Sequence, residues 1–277
     1  MTPREFAFLS ELLKQRSGLN LGPESLEMVK ARLRPLLREG AFHSLAAFVR
    51  ALKKPEAETL RARFAEAVSV QESYFFRDKL PFQYFTGTML PELMRSREAT
   101  RRIRVWCAAA ATGQEPYSLA MLLAERAGAL SAWNIDILAT DFSESAIRKA
   151  RDGLYSQFEV QRGLPVSLLV KYFAKEGRGW KLDSSIRSKV KFATHNLVSN
   201  EELGVFDVIF CRNVLIYFDA ETKREVLARL SRQLADDGYL VLGASETTTG
   251  LSEAFSPVGE NHCGIFRLKP AVAVAAA

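Results

Sequence analysis

Val105, Trp106 and Cys107 form a short strand-like run that passes directly into Ala108-Ala109-Ala110-Ala111-Thr112-Gly113, after which Glu115-Pro116 opens an amphipathic stretch with Leu119, Leu122 and Leu123. Small residues leave main-chain N–H groups uncovered, and a helix that follows aims its own free N–H groups at the same place, so such a turn can cradle a nucleotide or nucleoside. Tight strand–helix packing selects the same small residues. Gly113 is the one glycine of the stretch, so the GxGxxG spacing of a pyrophosphate-binding turn is absent and a smaller nucleoside remains open. Polar residues recur farther along where strands should end. The Asp141 carboxylate can accept hydrogen bonds from two ribose hydroxyls, or sit at a helix start beside the cap residue Ser143. In His195-Asn196-Leu197 the Asn can read an adenine edge while the Leu covers its face. Arg212-Asn213 follows a fourth apolar run, and Asn213 stands where the reacting end of a nucleoside would lie. Tyr217, one helical turn on, can flank a sulfonium methyl by cation–π attraction, hydrogen-bond an incoming carboxylate, or belong to the core.

These residues need elements that bring them together. Strands are expected at 103–108, 135–140, 190–194, 206–211 and 239–243, and helices at 115–127, 144–151 and 220–234, which predicts a doubly wound α/β sheet. In such sheets ligands lie across the carboxyl ends of the strands, where Asp141, His195 and Arg212 fall. A last strand at 264–269 follows a loop too short for a crossover helix and is expected antiparallel beside the fifth. Residues 152–189, with glycine turns and alternating segments, interrupt the pattern and are expected to form an added subdomain rather than a bare loop. The tail 271–277 is expected to be disordered.

Residues 1–70 carry helical spacing and no strand signal. Pro3 starts a helix with Phe6, Leu9, Leu12 and Leu13 that ends at Gly18; Pro23 opens a second with Leu26, Val29, Leu33, Leu36 and Leu37, ended by Gly40. Ser44 caps a third at 45–52, and Pro55 is expected to open a fourth with Leu60, Phe64 and Val68. Twelve Lys/Arg against eight Asp/Glu place +4 of the formal +6 in this first quarter, which suggests an acidic partner. On the second helix Lys30, Arg34 and Arg38 recur at i, i+4 and i+8 with Arg32 to one side, a stripe that is either a solvated face or a dock for an acidic surface. Pro35 removes one helical hydrogen bond there and can kink it. Between the two regions, VQESYFFRD sets Tyr74, Phe75 and Phe76 among charges. Three consecutive aromatics cannot all be buried on one face of a regular element, so the stretch reads as a hinge, or as a linker that packs part of itself and offers the rest to a ligand.

With 277 residues, 48% hydrophobic and 25% charged, the chain is of globular type, with room for one large or two modest domains. No apolar run approaches the roughly 18 residues of a membrane span, and charges interrupt the start where a signal peptide needs an apolar core, so a cytoplasmic place is expected. Cys107, Cys211 and Cys263 lack CxxC spacing and are expected to be reduced core residues. His43, His195 and His262 are scattered, and no metal site is expected.

Five motifs in register, SVQESYFFRD, RVWCAAAATGQEPYSLAM, LATDFSESAIRKAR, FDVIFCRNVLIYFD and DDGYLVLGASET, resemble the CheR family, the S-adenosylmethionine-dependent glutamate O-methyltransferases of chemotaxis receptors. The resemblance spans nearly the whole chain. It implies a helical N-terminal domain (1–70), a linker contributing to the cofactor site (71–90) and a class I methyltransferase domain (91–277) with an inserted β-subdomain at about 152–189. The implied reaction moves a methyl group from S-adenosylmethionine to glutamate carboxylates of methyl-accepting receptors, leaving methyl esters and S-adenosylhomocysteine, without a metal. By position it carries cofactor contacts onto Gln71, Ser73, Arg77, Glu115, Asp141, Asn196, Leu197, Arg212 and Asn213, around the loop at Gly113, with Tyr217 as the catalytic residue near the transferred methyl. It gives Arg32, Arg34 and Arg38 the task of meeting the acidic receptor surface, and implies a cytoplasmic monomer that binds no nucleic acid and does not insert into membrane. The chain departs from the family at Gln71 and Ser73, where Asn and Thr or Ser are usual, and at Gln114, where Glu is usual. Its loop 175–179 looks shorter than in members that tether to a receptor's C-terminal peptide, which implies recognition without that peptide. A methyltransferase for amines or nucleic acids, a cofactor-binding module without turnover, and a dinucleotide oxidoreductase are the rivals.

Overall fold

Thr2 starts the first helix: its hydroxyl accepts the Glu5 N–H at 3.2 Å while the Glu5 carboxylate accepts the Thr2 N–H at 2.7 Å. This computed structural model describes residues 1–259 and 264–270, so His262, Cys263 and the tail 271–277 lie outside the described residues. Helix α1 runs Pro3–Ser17 and ends at Gly18, whose φ of +74° and 2.6 Å approach of a would-be Cβ to Val198 both call for glycine. Helix α2 (Leu26–Glu39) continues through Pro35, and Ser44 caps α3 (Leu45–Leu52) by accepting the Ala47 N–H. Helix α4 is Glu58–Val68, three residues later than Pro55 suggested. Pro55 lies instead in a turn whose preceding carbonyls, Leu52 and Lys54, are held by the Arg61 guanidinium at 2.9 and 2.7 Å. Leu9, Leu13, Val29, Leu33, Phe48, Phe64 and Val68 meet in one buried cluster between these helices.

Helices α5 (Leu80–Tyr84) and α6 (Leu90–Ser96) flank a π-helical turn, Phe85–Met89. No helix is assigned to this stretch from sequence; Pro81 sits in the first turn of α5, where the missing N–H costs nothing, and Pro91 follows directly on the π-helical turn. Then follow β1 (Arg102–Cys107), α7 (Gln114–Ala124), β2 (Asn134–Asp141) and α8 (Glu144–Asp152). The insertion holds β3 (Leu154–Ser156), α9 (Gln157–Gln161), α10 (Val166–Tyr172), β4 (Phe173–Glu176), β5 (Gly179–Leu182) and α11 (Ser184–Arg187). The chain closes with β6 (Val190–Thr194), β7 (Phe206–Cys211), α12 (Ala220–Arg232), β8 (Leu234–Leu242), β9 (Phe255–Pro257) and β10 (Ile265–Leu268).

Seven strands form the main sheet in the order β6-β2-β1-β7-β8-β10-β9, the first five parallel and β10 antiparallel to β8. The chain steps from β1 outward to β6, then returns to β7 on the other side, so the crevice at the carboxyl ends of β1 and β7 is the topological switch point. All of β7 and the Val105–Cys107 end of β1 are buried, as both-faced parallel strands must be. The insertion is an antiparallel sheet, β3-β5-β4, braced by three short helices. It is fastened to the loop after β1 by the Tyr155 hydroxyl, which donates to the Thr112 carbonyl at 2.8 Å. Phe75 of the linker packs edge-on to Tyr155 and Phe173, with ring centres 5.1 and 5.7 Å away.

The helical layer is tied to the sheet layer by few, directed contacts. Lys14 pairs with Asp219 at 2.7 Å, the Asn20 N–H donates to the Tyr217 carbonyl at 2.8 Å, and the Asn196 amide donates to the Arg16 carbonyl at 2.6 Å. Asp219 also caps α12 by accepting the Thr222 N–H, and the Lys14 ammonium with that N–H holds its carboxyl down at about 2. Asp219→Ala is expected to cost about 1–2 kcal/mol, mostly the cap. A carboxyl depressed on folding contributes above its unfolded value near 4 and stops contributing as pH falls toward 2. Urea midpoints should therefore separate wild type from variant fully at pH 7 and converge in acid; an equal gap at both ends would count against the ion pair.

Candidate functional site

The carboxyl ends of β1, β2, β6 and β7 open into a cleft with about 820 Å³ of empty space, the open solvent at its mouth included. Ala108, Ala109 and Ala111 form one wall, and the linker from Ser69 to Ser73 with Arg77 forms the other. Ser17 and Leu19, at the end of α1, close one side. Of the residues singled out from sequence, Gln71, Ser73, Arg77, Glu115, Asp141, Asn196, Leu197, Arg212, Asn213 and Tyr217 all border this cleft. Gly113 does not. Its φ is +94°, and a Cβ there would come within 2.9 Å of the Ala150 Cβ and 3.1 Å of the Tyr155 hydroxyl. The glycine thus serves the packing of α7 against α8 and the insertion, and Gly113, expected from sequence at the cofactor loop, is not among the residues that border the cleft.

Asp141 is 6% exposed, and its two oxygens accept the N–H of Ala111 at 2.9 Å and of Ser143 at 3.0 Å, with the Gln71 amide at 3.4 Å. Burial pushes its carboxyl up, and these donors pull it back. The same side chain therefore pins the loop after β1, at the left-handed Ala111 (φ +47°), and the turn into α8.

Arg212 is the cation of the cleft floor. Its guanidinium donates to Glu115 at 2.9 Å, to Asp78 at 2.7 Å and to the Arg77 carbonyl at 2.9 Å, 5.7 Å from the centre of the Phe82 ring. Burial pushes the Glu115 carboxyl up against the pull of Arg212, and burial likewise raises the neighbouring Cys107 thiol. The linker pays for this arrangement in backbone strain, since Phe76, Asp78 and Lys79 all have positive φ (53°, 67° and 48°). What holds Phe76 is burial of its ring and its N–H on the Ser118 hydroxyl at 3.0 Å. Two buried polar atoms of the cleft have no partner, the Arg212 Nε and the Gln71 Oε1. A ligand bearing a carboxylate and an ammonium or hydroxyl would satisfy both.

The Asn196 amide donates to the Arg16 carbonyl at 2.6 Å, and its Oδ1 accepts the Val198 N–H at 3.3 Å. His195, 6% exposed, packs 5.8 Å from Trp106, and burial lowers its basicity. Asn213 has φ +58°, and Tyr217 ends a 3-10 turn, Leu215–Tyr217. Glu246 escaped the sequence reading. It is 8% exposed and accepts four main-chain N–H groups, from Gly243 at 2.6 Å, Asn213 at 2.7 Å, Val214 at 2.9 Å and Ile216 at 3.2 Å. It lies within the DDGYLVLGASET motif, just beyond the fifth expected strand, where no role is assigned to it from sequence. Ser17 and Leu19 carried none.

The basic stripe of α2 is not uniform and lies outside the cleft. Arg32 donates to the carbonyls of Val68, at 2.7 Å, and Ser69, so it fixes the start of the linker, and Lys30 pairs with Glu27 at 2.6 Å. Arg34 and Arg38 are exposed with no hydrogen-bond or ion-pair partner among the described residues. Among those residues no group of three or more His, Cys, Asp or Glu could hold a metal, and no helix is long and apolar enough to cross a membrane.

Two family models match the chain: "CheR methyltransferase, all-alpha domain" over residues 4–69 and "CheR methyltransferase, SAM binding domain" over residues 71–263. The chain is 37% identical over 271 residues to chemotaxis protein methyltransferase 1 of Pseudomonas aeruginosa, covering 96% of this chain and 98% of that one. It is 36% identical over 275 residues to the chemotaxis protein methyltransferase of Vibrio parahaemolyticus, with coverage of 97% and 98%. To that of Escherichia coli it is 32% identical over 268 residues, covering 94% and 90%.

Proposed function

This chain belongs to the CheR methyltransferase family and is an S-adenosylmethionine-dependent chemotaxis methyltransferase, and from that premise we propose that it esterifies glutamate side chains on the cytoplasmic part of methyl-accepting receptors. The observation that carries the choice of a carboxylate is the state of the cleft's own acids and its histidine. Glu72 is paired with Arg162 at 2.7 Å, Glu115 with Arg212, Asp141 already accepts from three donors, and His195 is wedged against Trp106. An amine or a base nitrogen must lose a proton when it is methylated, which calls for a free general base. A glutamate with an ordinary pKa of about 4.3 arrives already ionised and needs none.

The bound cofactor supplies a methyl group on a sulfonium, ready for in-line transfer. In this proposal Asp141 holds the ribose, Asn196 and Leu197 border the base, and Arg212 and Gln71 turn their unpartnered atoms to the amino-acid end beside Ser73, Arg77 and Glu115. Asn213 and Tyr217 border the methyl. The alanine wall and Leu19 keep water from the substrate oxygen, and the remaining work is positioning, which can supply most of the acceleration for an ionised nucleophile. Residues 1–70 act as the receptor-facing domain, 71–90 as the linker that completes the cleft, and 91–277 as the methyltransferase domain. Arg34 and Arg38 meet the acidic receptor surface, while Arg32 braces the linker. The β4–β5 hairpin turns through Gly177-Arg178, in keeping with recognition that does not use a receptor tail peptide. The enzyme works as a cytoplasmic monomer.

Labelled methyl transferred to receptor-containing membranes should leave as methanol in mild alkali, because esters hydrolyse there and N-methyl groups do not. Label that survives alkali would sink the carboxylate assignment. Joint Arg34→Glu and Arg38→Glu substitution should lower kcat/KM for receptor about tenfold at low ionic strength, less in high salt, with affinity for S-adenosylhomocysteine unchanged. A receptor kcat/KM equal to wild type would remove α2 as the dock.

A further inference from the structure

We infer that Glu246 is a positioning residue for methyl transfer, gripping from beneath the 213–217 loop whose side chains face the methyl end of the cleft. The inference rests on the placing of Asn213 and Tyr217 at that end. A buried carboxylate ordinarily has a cation beside it, as Glu115 has Arg212. Glu246 is paired with main-chain N–H groups instead: Oε2 accepts from Asn213 and Gly243, and Oε1 from Val214 and Ile216. Three of these amides, those of Asn213, Val214 and Ile216, belong to a stretch that has left β7 and has no ladder partner, with Asn213 in the left-handed region, and the fourth, Gly243, follows the end of β8. Without an acceptor placed there, several buried donors would be unmatched, and the loop would be free to choose other conformations.

The surroundings fit a grip on the loop in particular. Gly243 leaves space for it, since a Cβ there would lie 2.6 Å from the Asn213 Nδ2 and 2.7 Å from the Glu246 Oε2. On its outer side the loop is held at one further point, the Tyr217 carbonyl, by the Asn20 N–H of the helical layer. Asn213, Val214 and Tyr217, which border the cleft, thus lie between an inner anchor on the sheet and an outer one on the helical layer. The position of the methyl-facing side chains is then set by a residue that does not itself line the cleft.

Glu246→Gln replaces one acceptor oxygen by an NH2 that must face two N–H groups. Hydrogen exchange should show the amides of Asn213, Val214 and Ile216 losing protection while those of β1 and β7 keep it. Turnover should fall about 10- to 100-fold, the scale of a small misplacement of reacting groups, with affinity for S-adenosylhomocysteine within about threefold of wild type. Amides that stay protected, or turnover that stays at the wild-type level once protection is lost, would overturn the inference. If Glu246→Gln does not fold, Gly243→Ala pushes on the same two side chains and is measured in the same way, and unchanged protection and turnover there overturn it equally. Wild-type turnover in Asn213→Ala would be a different failure, that of the placing of the methyl end at this loop.

Discussion

Arg212→Met is expected to destabilise the protein by about 3–5 kcal/mol and to remove measurable cofactor binding, because it strips the counter-ion from a buried acid. The Arg212 side chain is 2% exposed, and it faces Glu115, 10% exposed, and Asp78, 33% exposed. Met fills most of the volume but leaves Glu115 in low dielectric with the Cys107 thiol and the weaker field of Arg77 as its remaining support. Burial already raises the Glu115 carboxyl in the intact protein, and loss of Arg212 raises it further. A carboxyl raised on folding penalises the folded state increasingly as pH climbs from its unfolded value through its folded one. The loss should therefore be smallest in acid and grow as pH rises, the same direction in which the Asp219→Ala loss grows, although there a stabilising carboxylate is removed and here a buried one is left without its cation. Adding Glu115→Gln should restore part of the stability and none of the cofactor affinity. Thermal unfolding across pH 5–8 reads both, and an Arg212→Met variant as stable as wild type at pH 8 would contradict the buried-pair account. Asp78 is exposed enough to be rehydrated, so it contributes little to the penalty.

Asp141→Asn is expected to weaken S-adenosylhomocysteine binding by about 1–3 kcal/mol, roughly 5- to 150-fold, with a smaller effect on fold stability. Asn keeps one acceptor, but its NH2 must face either the Ala111 or the Ser143 N–H, so the substitution disturbs the cradle as well as any sugar contact. An analogue lacking the ribose 2′-hydroxyl separates the two. If Asp141 holds the sugar, wild type should prefer the intact nucleoside and Asp141→Asn should prefer it much less. Equal preference in both proteins would leave Asp141 as a loop clamp and end its assignment to the ribose.

The boundaries that could be read from sequence were those set by local burial. Strands at 190–194 and 206–211 matched to the residue: β7 is an unbroken run buried on both faces, whereas β6 is an edge strand with only its first residue fully buried. Strand β8 begins at Leu234, five residues before the expected start, because Leu234 already pairs with Phe206 at the beginning of β7, and Asp236-Asp237-Gly238, which look like a turn, lie in the bulge before Tyr239 pairs with Val208. Strand β9, Phe-Ser-Pro, carries too little pattern to be seen alone. In the cleft, end-of-strand polar residues were legible because parallel sheets always present the same edge to a ligand. Glu246 was not, since it acts on amides some thirty residues away in the chain and leaves no periodic trace.

What the sequence determined by itself was the alternation of strands and helices, the all-helical first quarter, and hence the row of residues, Asp141, Asn196, Arg212 and Asn213, that would share one sheet edge. These follow from periods of two and of 3.6 residues, which any short window contains. Only the tertiary structure decided that Gly113 faces α8 rather than the cleft, that Arg32 leaves the basic stripe to hold the linker, and that Ser17 and Leu19 close the site from the helical layer. Those outcomes depend on which surfaces dock and which distant donor meets which acceptor, and such pairings are decided by the packing of the whole chain.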